Sequence, residues 1–479
     1  MSAAMKANFL LNLAYNISGL LFHLITFPYV SRILFASGIG LIQFYQSIIN
    51  YIILLSSLGI PLYAVREIAK VRDNKQLCSK VAVEILILHL FLTLLGYLIV
   101  FALLLSAERL WINASLFLLL STHLLLNSIG AYWFYQGVED FKFIAFRAIA
   151  IRSVALIAMF MFVKDNSDLL AYAIIIVAAD AGNNIFNFYR LKQYVEIRKN
   201  DFLHLNPMRH LKPALKIFVL NLVISIYVNL DTVMLGFIKN ETAVGYYSAA
   251  TKIIKSFLAI VQSLGGVLLP RFSNMTENNQ IKELRLLSDK SLSFILAFSL
   301  PLTVGVIFMA KPLIHLFCGN NYDPSILTIQ IMAPIIVFIA VSNIAGPQIL
   351  YALGKENMVI LSTLSGAIIN VSLNMILIPE YSQYGAGIST VIAEFIVMLL
   401  MICFVWKYVP LQVFSSNNLH YYGGTCGILI LLLWLQKIIH GEFIYCIIGV
   451  ITSIALYSII LFLNKDRLLL HMIKTIMNR

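Results

Sequence analysis

Apolar runs long enough to cross a bilayer recur from one end of the chain to the other. A spanning helix needs about 20 mostly apolar residues, because the hydrocarbon core is roughly 30 Å thick and a helix rises about 1.5 Å per residue. Length alone would accommodate about three soluble domains. Composition rejects that arrangement: 60% of residues are hydrophobic and only 12% charged, against roughly 25% charged in soluble domains. No polar block is long enough for a separate soluble domain. The expected fold is an all-α integral membrane protein of about fourteen spans. They fall near 8–29, 41–63, 81–106, 111–133, 143–163, 168–190, 213–238, 246–269, 291–310, 325–351, 358–378, 384–407, 421–439 and 443–463. Only Lys6 precedes the first apolar segment and no small-residue cleavage pattern follows it. That segment therefore reads as a span and not as a cleaved signal.

Lysine and arginine sort between the connectors. One set holds Arg66, Lys70, Arg72, Lys75 and Lys80, then Arg190, Lys192, Arg198, Lys199, Arg209 and Lys212, then Arg271, Lys282, Arg285 and Lys290. The C-terminal tail adds Lys465, Arg467, Lys474 and Arg479. The opposite set carries mainly Arg32, Arg109, Lys164, Lys239, Lys311 and Lys437. By the positive-inside rule both termini are expected in the cytoplasm. The net charge of +12 is thus a topology signal. It does not point to nucleic acid, since no basic patch is interleaved with exposed aromatics. The cysteines (Cys78, Cys318, Cys403, Cys426, Cys446) are scattered, without metal or disulfide spacing. Neither metal nor cofactor is expected. Asn-x-Ser/Thr triplets at Asn16 and Asn113 fall in or beside apolar segments and read as chance.

The halves resemble each other. Leu11-Asn12-Leu13 recurs as Leu220-Asn221-Leu222, Phe44-Tyr45 as Tyr246-Tyr247, Leu58-Gly59 as Leu264-Gly265, and Arg66 as Arg271. The fixed order points to a parallel duplication of about six helices, an arrangement in which transporters place substrate between the repeats. The expected organisation is an N-terminal lobe 1–190, a cytoplasmic linker 191–212, a C-terminal lobe 213–407, and two additional helices with a cytoplasmic tail over 408–479.

Several spans carry polar residues at helical period. Span 1 has Asn8, Asn12, Tyr15, Gly19 and His23; span 2 has Gln43, Gln46, Ser47, Asn50 and Ser57. Span 7 has Asn221, Ser225, Asn229, Thr232 and Gly236; span 8 has Ser248, Lys252, Lys255 and Gln262. Helix packing through small and amide residues explains any one of them. Four such stripes on the first two spans of each half favour a shared wet cavity, since polar groups facing lipid have no partners.

Charges inside spans cost roughly 2.5–3.5 kcal/mol each on insertion scales. Asp231 and Lys252 are expected at similar depth, either in a cavity or as a structural ion pair, with Lys255 one turn further along. Arg32 closes span 1, by snorkelling or beside the cavity. Arg66 and Arg271 serve as topology anchors or as a cationic cavity mouth. Glu84, Arg147, Arg152, Asp180 and Glu394 are embedded or near the membrane. His23, His89 and His123 are embedded singly, and satisfied packing is the simpler reading of each.

Gly59-Ile60-Pro61-Leu62-Tyr63-Ala64-Val65-Arg66-Glu67-Ile68-Ala69-Lys70 resembles the "YxxREIAK" end of the second span in bacterial polysaccharide repeat-unit flippases. Those are the O-antigen and capsule transporters of the multidrug/oligosaccharidyl-lipid/polysaccharide exporter superfamily. Trp133-Phe134-Tyr135-Gln136-Gly137-Val138-Glu139-Asp140-Phe141-Lys142 resembles their "WxxQGxEDYK" connector. Asn229-Leu230-Asp231-Thr232-Val233-Met234-Leu235-Gly236, followed by Val244-Gly245-Tyr246-Tyr247, resembles their seventh and eighth spans. Leu353-Gly354-Lys355 and Gly385-Ala386-Gly387-Ile388-Ser389-Thr390-Val391-Ile392-Ala393-Glu394 extend the likeness, which runs from about residue 5 to 400. The last two spans match nothing distinctive.

The resemblance implies two six-helix lobes and alternating access, coupled to an ion gradient. It implies movement of undecaprenyl-pyrophosphate-linked oligosaccharide from the inner to the outer leaflet of a bacterial cytoplasmic (inner) membrane. A polysaccharide polymerase and a chain-length regulator are the implied partners. Such a substrate needs positive charge in a hydrophilic cavity, and Arg32, Arg66, Lys252 and Lys255 can supply it through charge-assisted bonds. Asn50, Asn221 and Asn229 suit glycan hydroxyls, and Asp231 is the candidate for ion coupling. A multidrug exporter would instead want acids, of which Asp231 alone is well placed. A peptidoglycan-precursor flippase shares the charge logic with a weaker motif match. A membrane polymerase or ligase would carry its chemistry in a long outer loop, which this chain lacks. No GxxxxGK[ST] phosphate loop is present either. A non-transporting scaffold would have no use for embedded charge.

Overall fold

The computed structural model of the chain describes residues 3–196, 205–262, 265–415 and 418–466, and every regular element among them is helical. Eleven stretches among the described residues are long and apolar enough to cross a bilayer. The first, Ile17–Ser57, runs for 41 residues, about twice a spanning length. Its backbone leaves helical geometry at Phe35, with φ 53° and ψ −177°. The chain divides into two compact units, Met1–Gly245 and Tyr246–Arg479.

The first unit contains α1 (Ala3–Ser57), α2 (Ile60–Val71), α3 (Lys75–Ser106), α4 (Glu108–Ile112), α5 (Ala114–Ile129) and α6 (Tyr132–Gly137). It continues with α7 (Phe141–Phe162), α8 (Leu169–Ala181), α9 (Asn183–Tyr194) and α10 (Leu211–Ile238). Side-chain caps start two of these helices by occupying an otherwise orphaned amide. Asn74 accepts from the Leu77 N–H at 3.1 Å before α3, and Asp140 from the Phe143 N–H at 3.4 Å before α7. One span is interrupted: the chain leaves α5 through Ala131, at φ 41°, and enters α6. The junction of α8 and α9 at Gly182 keeps helical dihedrals. Asn184, just past it, lies against Gly130 beside the break. An interrupted helix frees backbone groups and concentrates polar side chains at one depth, a device of membrane binding sites. Ile60, Tyr63, Ile68, Ile85, Leu88, Trp133, Phe134 and Tyr135 form the core between α2, α3 and α6.

The second unit contains α11 (Glu241–Gln262, of which the first residues belong to the first unit), α12 (Gly265–Glu277), α13 (Ile281–Phe308), α14 (Ala310–Phe317) and α15 (Pro324–Met332). Then come α16 (Ile335–Asn343), α17 (Glu356–Tyr381), α18 (Gln383–Trp406), α19 (Leu419–Ile438) and α20 (Glu442–Leu463). A π-helical turn over Ile344–Leu350 surrounds Pro347, where the missing amide would leave a gap in an ordinary helix. Phe272, Leu292, Ile295, Ile344, Leu350 and Val397 lie in its core. Ionic ties at both ends attach α19 and α20. Lys311 pairs with Glu442 at 2.6 Å, and His315 lies 2.7 Å from both Glu442 and Asp323. Asp466 accepts from the Tyr421 hydroxyl at 2.7 Å, with His420 at 2.9 Å. Meanwhile α20 exposes Ile447, Ile451, Ile454 and Leu463. An apolar surface that dense is what lipid covers.

Candidate functional site

A cavity of about 350 Å³ opens in the first unit between α1, α2, α5 and α10. Its polar lining is Asn50, Tyr51 and Ser57 from α1, Asn127 from α5 and Asn229 from α10. Asn50 and Ser57 come from the span 2 stripe, and Asn229 from that of span 7, so two stripes expected to share a cavity do meet. Tyr51 lies against the Asn229 backbone and within electrostatic reach of the Asp231 carboxylate. Asp231 is buried. Ser57 also approaches His89 Nε2 at 3.4 Å.

The same unit holds two half-buried arginines on α7. Arg147 donates from Nε to Asn183 at 3.1 Å and from Nη1 to Asn187 at 2.5 Å, and stacks over Phe143 at 4.4 Å. Arg152 donates from Nη1 to the Tyr15 carbonyl at 2.9 Å and to the Ser18 hydroxyl at 2.6 Å. Its guanidinium lies 4.9 Å from the Tyr15 ring centroid and fills the space that Gly19 leaves open. Tyr15 in turn stacks on Tyr132 at 5.7 Å. Tyr15 and Gly19 of the span 1 stripe therefore cradle Arg152. Neutral groups supply the hydrogen bonds that orient these cations, with Asp140 within electrostatic reach of Arg147 and Asp180 of Arg152. Arg152 Nε is buried and makes no hydrogen bond among the described residues. Nearby, His23 Nε2 lies 3.5 Å from Asp180 Oδ1, with His123 and Arg152 also acting on that carboxylate. The sequence singled out Arg147 and Arg152 only as embedded charges. For Arg147 the signal was the run Asn183, Asn184 and Asn187, which places amides one helical turn apart at the start of α9.

The other expected site residues lie on several elements of the two units. Arg32 is exposed on α1 near Phe35. Arg66 is exposed on α2 and 3.6 Å from Glu67. Lys252 is half-buried and Lys255 exposed on α11, in the second unit, whereas Asp231 belongs to the first. Asn221 lies on α10, but its side chain falls outside the described residues, as do those of Asn8 and Asn12. Glu84 is fully buried and ion-paired at one end of α3.

A polysaccharide biosynthesis protein family model matches residues 5–276, more than half of the chain. The chain belongs to that family. A second model, MatE, matches residues 217–376. A protein of Escherichia coli (strain K12) named "Putative O-antigen transporter" is 26% identical over 81% of this chain and 93% of its own length. One of the same name from Shigella dysenteriae is 24% identical over 83% of this chain and 99% of its own. Among solved structures, the lipid II flippase MurJ in an inward closed conformation superposes with a TM-score of 0.68 at 18% identity, covering 96% of this chain and 99% of that one. An inward-facing multidrug resistance MATE family transporter superposes with a TM-score of 0.64 at 15% identity, covering 85% of this chain and 94% of that one. The fold is therefore of the MATE and MurJ kind. The protein is a multi-pass membrane transporter of the multidrug/oligosaccharidyl-lipid/polysaccharide exporter superfamily, and not an enzyme.

Proposed function

We propose that this transporter moves lipid-linked oligosaccharide from the inner to the outer leaflet of a bacterial cytoplasmic membrane. The substrate class is undecaprenyl-pyrophosphate-linked repeat units of O-antigen or capsule. The observation that carries the reading is Arg152, a cation held by uncharged groups with Nε unbonded, beside Arg147 in the same setting. A pyrophosphate supplies the acceptor oxygens such donors lack. The amide-lined cavity at Asn50, Asn127 and Asn229 suits the hydroxyls of a glycan, and the named relatives point the same way. Arg147 and Arg152 favour an anionic headgroup over a cationic drug beside them.

Fourteen crossings result when α1 counts twice, on either side of Phe35, and α10 and α11 join the other ten stretches. Residues 1–190 and 213–407 are the repeated lobes, joined by 191–212. Alternating access exposes the cavity to each leaflet in turn, with Arg32, Arg66, Lys252 and Lys255 guiding the anionic headgroup. Asp231 carries the coupling ion. Competition in vesicles tests the reading: undecaprenyl-pyrophosphate-linked glycan inhibits its own labelled form, and a lipophilic cation neither competes nor accumulates. Uptake of the cation without movement of the glycolipid would make the protein a drug exporter.

A further inference from the structure

We propose that α10 pivots on one end during transport. A buried strap keeps its first residues on α3 throughout the cycle, while an exposed latch at its far end releases. The inference rests on the transport reading above.

The strap centres on Glu84 of α3, which has no solvent exposure. Its carboxylate accepts from the Asn206 backbone N–H at 2.8 Å, from His210 Nε2 at 3.0 Å and from the Arg209 guanidinium. His210, also buried, accepts at Nδ1 from the Tyr63 hydroxyl at 2.7 Å. A neutral imidazole protonated on Nε2 satisfies both bonds, a tautomer assigned from the network. Residues 206–210 lead straight into α10. The other flank of the same connector is attached as well. The Glu196 N–H donates to Ser79 Oγ at 3.1 Å, and Lys75 pairs with Glu196 at 2.5 Å. Both flanks thus hold to the first turns of α3. Separating the inner flank would strand a fully buried carboxylate, the most unfavourable kind of contact to break.

The latch is built differently. Arg109, exposed after α3, donates to the Gly236 carbonyl and, at 2.8 Å, to the Lys239 carbonyl. These are orphan carbonyls at the end of α10, which water serves equally well. Beside them α1 and the start of α11 meet through glycines. A methyl on Gly40 would overlap the Glu241 carbonyl, and one on Gly245 the Ala36 carbonyl. Such backbone faces separate without leaving a charge or a buried polar side chain unpaired. The two ends of α10 therefore differ in what opening costs, and force on the helix parts the latch first.

Spin-label distances in proteoliposomes test this, in a background with the native cysteines replaced. One pair sits at the strap (Leu77→Cys with Met208→Cys), the other at the latch (Glu108→Cys with Phe237→Cys); all four positions are exposed. Flipping of undecaprenyl-pyrophosphate-linked glycan is measured in the same vesicles. With glycolipid and an ion gradient present, the strap distance stays fixed and the latch pair gains a longer population. Arg109→Gln raises that population at rest. In vesicles that flip, a broadened strap distance or an unchanged latch distance overturns the pivot. Vesicles that flip nothing overturn the transport reading, and the inference falls with it.

Discussion

Arg152 on α7 donates through Nη1 to the hydroxyl of Ser18 on α1 at 2.6 Å, so a cation on one span is oriented by an uncharged partner on another. Hydrogen bonds to charged groups contribute about 1.5–3 kcal/mol each. Arg152→Gln should therefore weaken capture of a pyrophosphate headgroup by roughly ten- to hundredfold, at about 1.4 kcal/mol per decade. Arg152→Lys should retain part of it, keeping charge but losing the planar fork. Binding of labelled glycolipid to purified protein checks this, beside a melting curve that shows whether the fold is intact. Equal binding by Arg152→Gln and wild type would remove Arg152 from the site.

The Glu84 cluster has a stability signature. Removing one partner of a buried ion pair typically costs about 3–5 kcal/mol. Arg209→Ala should accordingly lower the melting temperature in detergent more than Lys70→Ala, whose partner Glu67 it meets in the open. An equal shift for both variants would contradict a strap of this strength.

His210 adds a pH dependence. Burial is the chief influence on it and pushes its pKa below the ordinary imidazole value, although Glu84 opposes this while Arg209 reinforces it. Tyr63 and Glu67 also face the ring. The unfolded chain then binds the extra proton first, so this contribution is fully present above about pH 6.5 and is lost as pH falls through the folded pKa. Melting temperature should drop on acidification below that point, and His210→Gln should flatten the drop. The same slope in both proteins would place the titration elsewhere.

Orientation is tested from outside intact cells. Impermeant thiol reagent should label Asn320→Cys and spare Lys192→Cys, because basic connectors stay in the cytoplasm. The reverse pattern would invert the topology.

Asp231 and Lys252 call for a paired measurement. If Asp231 carries the coupling ion, Asp231→Asn keeps its stability and glycolipid binding while flipping loses its dependence on the gradient. A structural Asp231–Lys252 pair would instead make Asp231→Asn and Lys252→Met each lower stability, with the double variant recovering much of it.

The spans were legible because apolar runs announce themselves in composition, and Asn50 and Asn229 because amides at helical period have few uses within lipid. What stayed hidden was closure across sequence distance. Arg152 is held by Tyr15 and Ser18, more than a hundred residues earlier, and partly through a carbonyl that any residue would offer. Glu84 looked like a lone embedded acid because its partners Asn206, Arg209 and His210 lie in a connector whose bases read first as topology. The roles of Gly40 and Gly245 depend on a close approach that no periodicity reveals.

The most direct test of the central claim is flipping by the purified protein in vesicles carrying a lipid-linked glycan labelled on its sugar. Accessibility of that label to an enclosed or an added glycosidase reads the leaflet. Wild type should transfer the label between leaflets when an ion gradient is imposed, and an Arg147→Gln/Arg152→Gln double variant of normal melting temperature should not. Label that stays in its starting leaflet with wild type, under every gradient applied, would contradict the account.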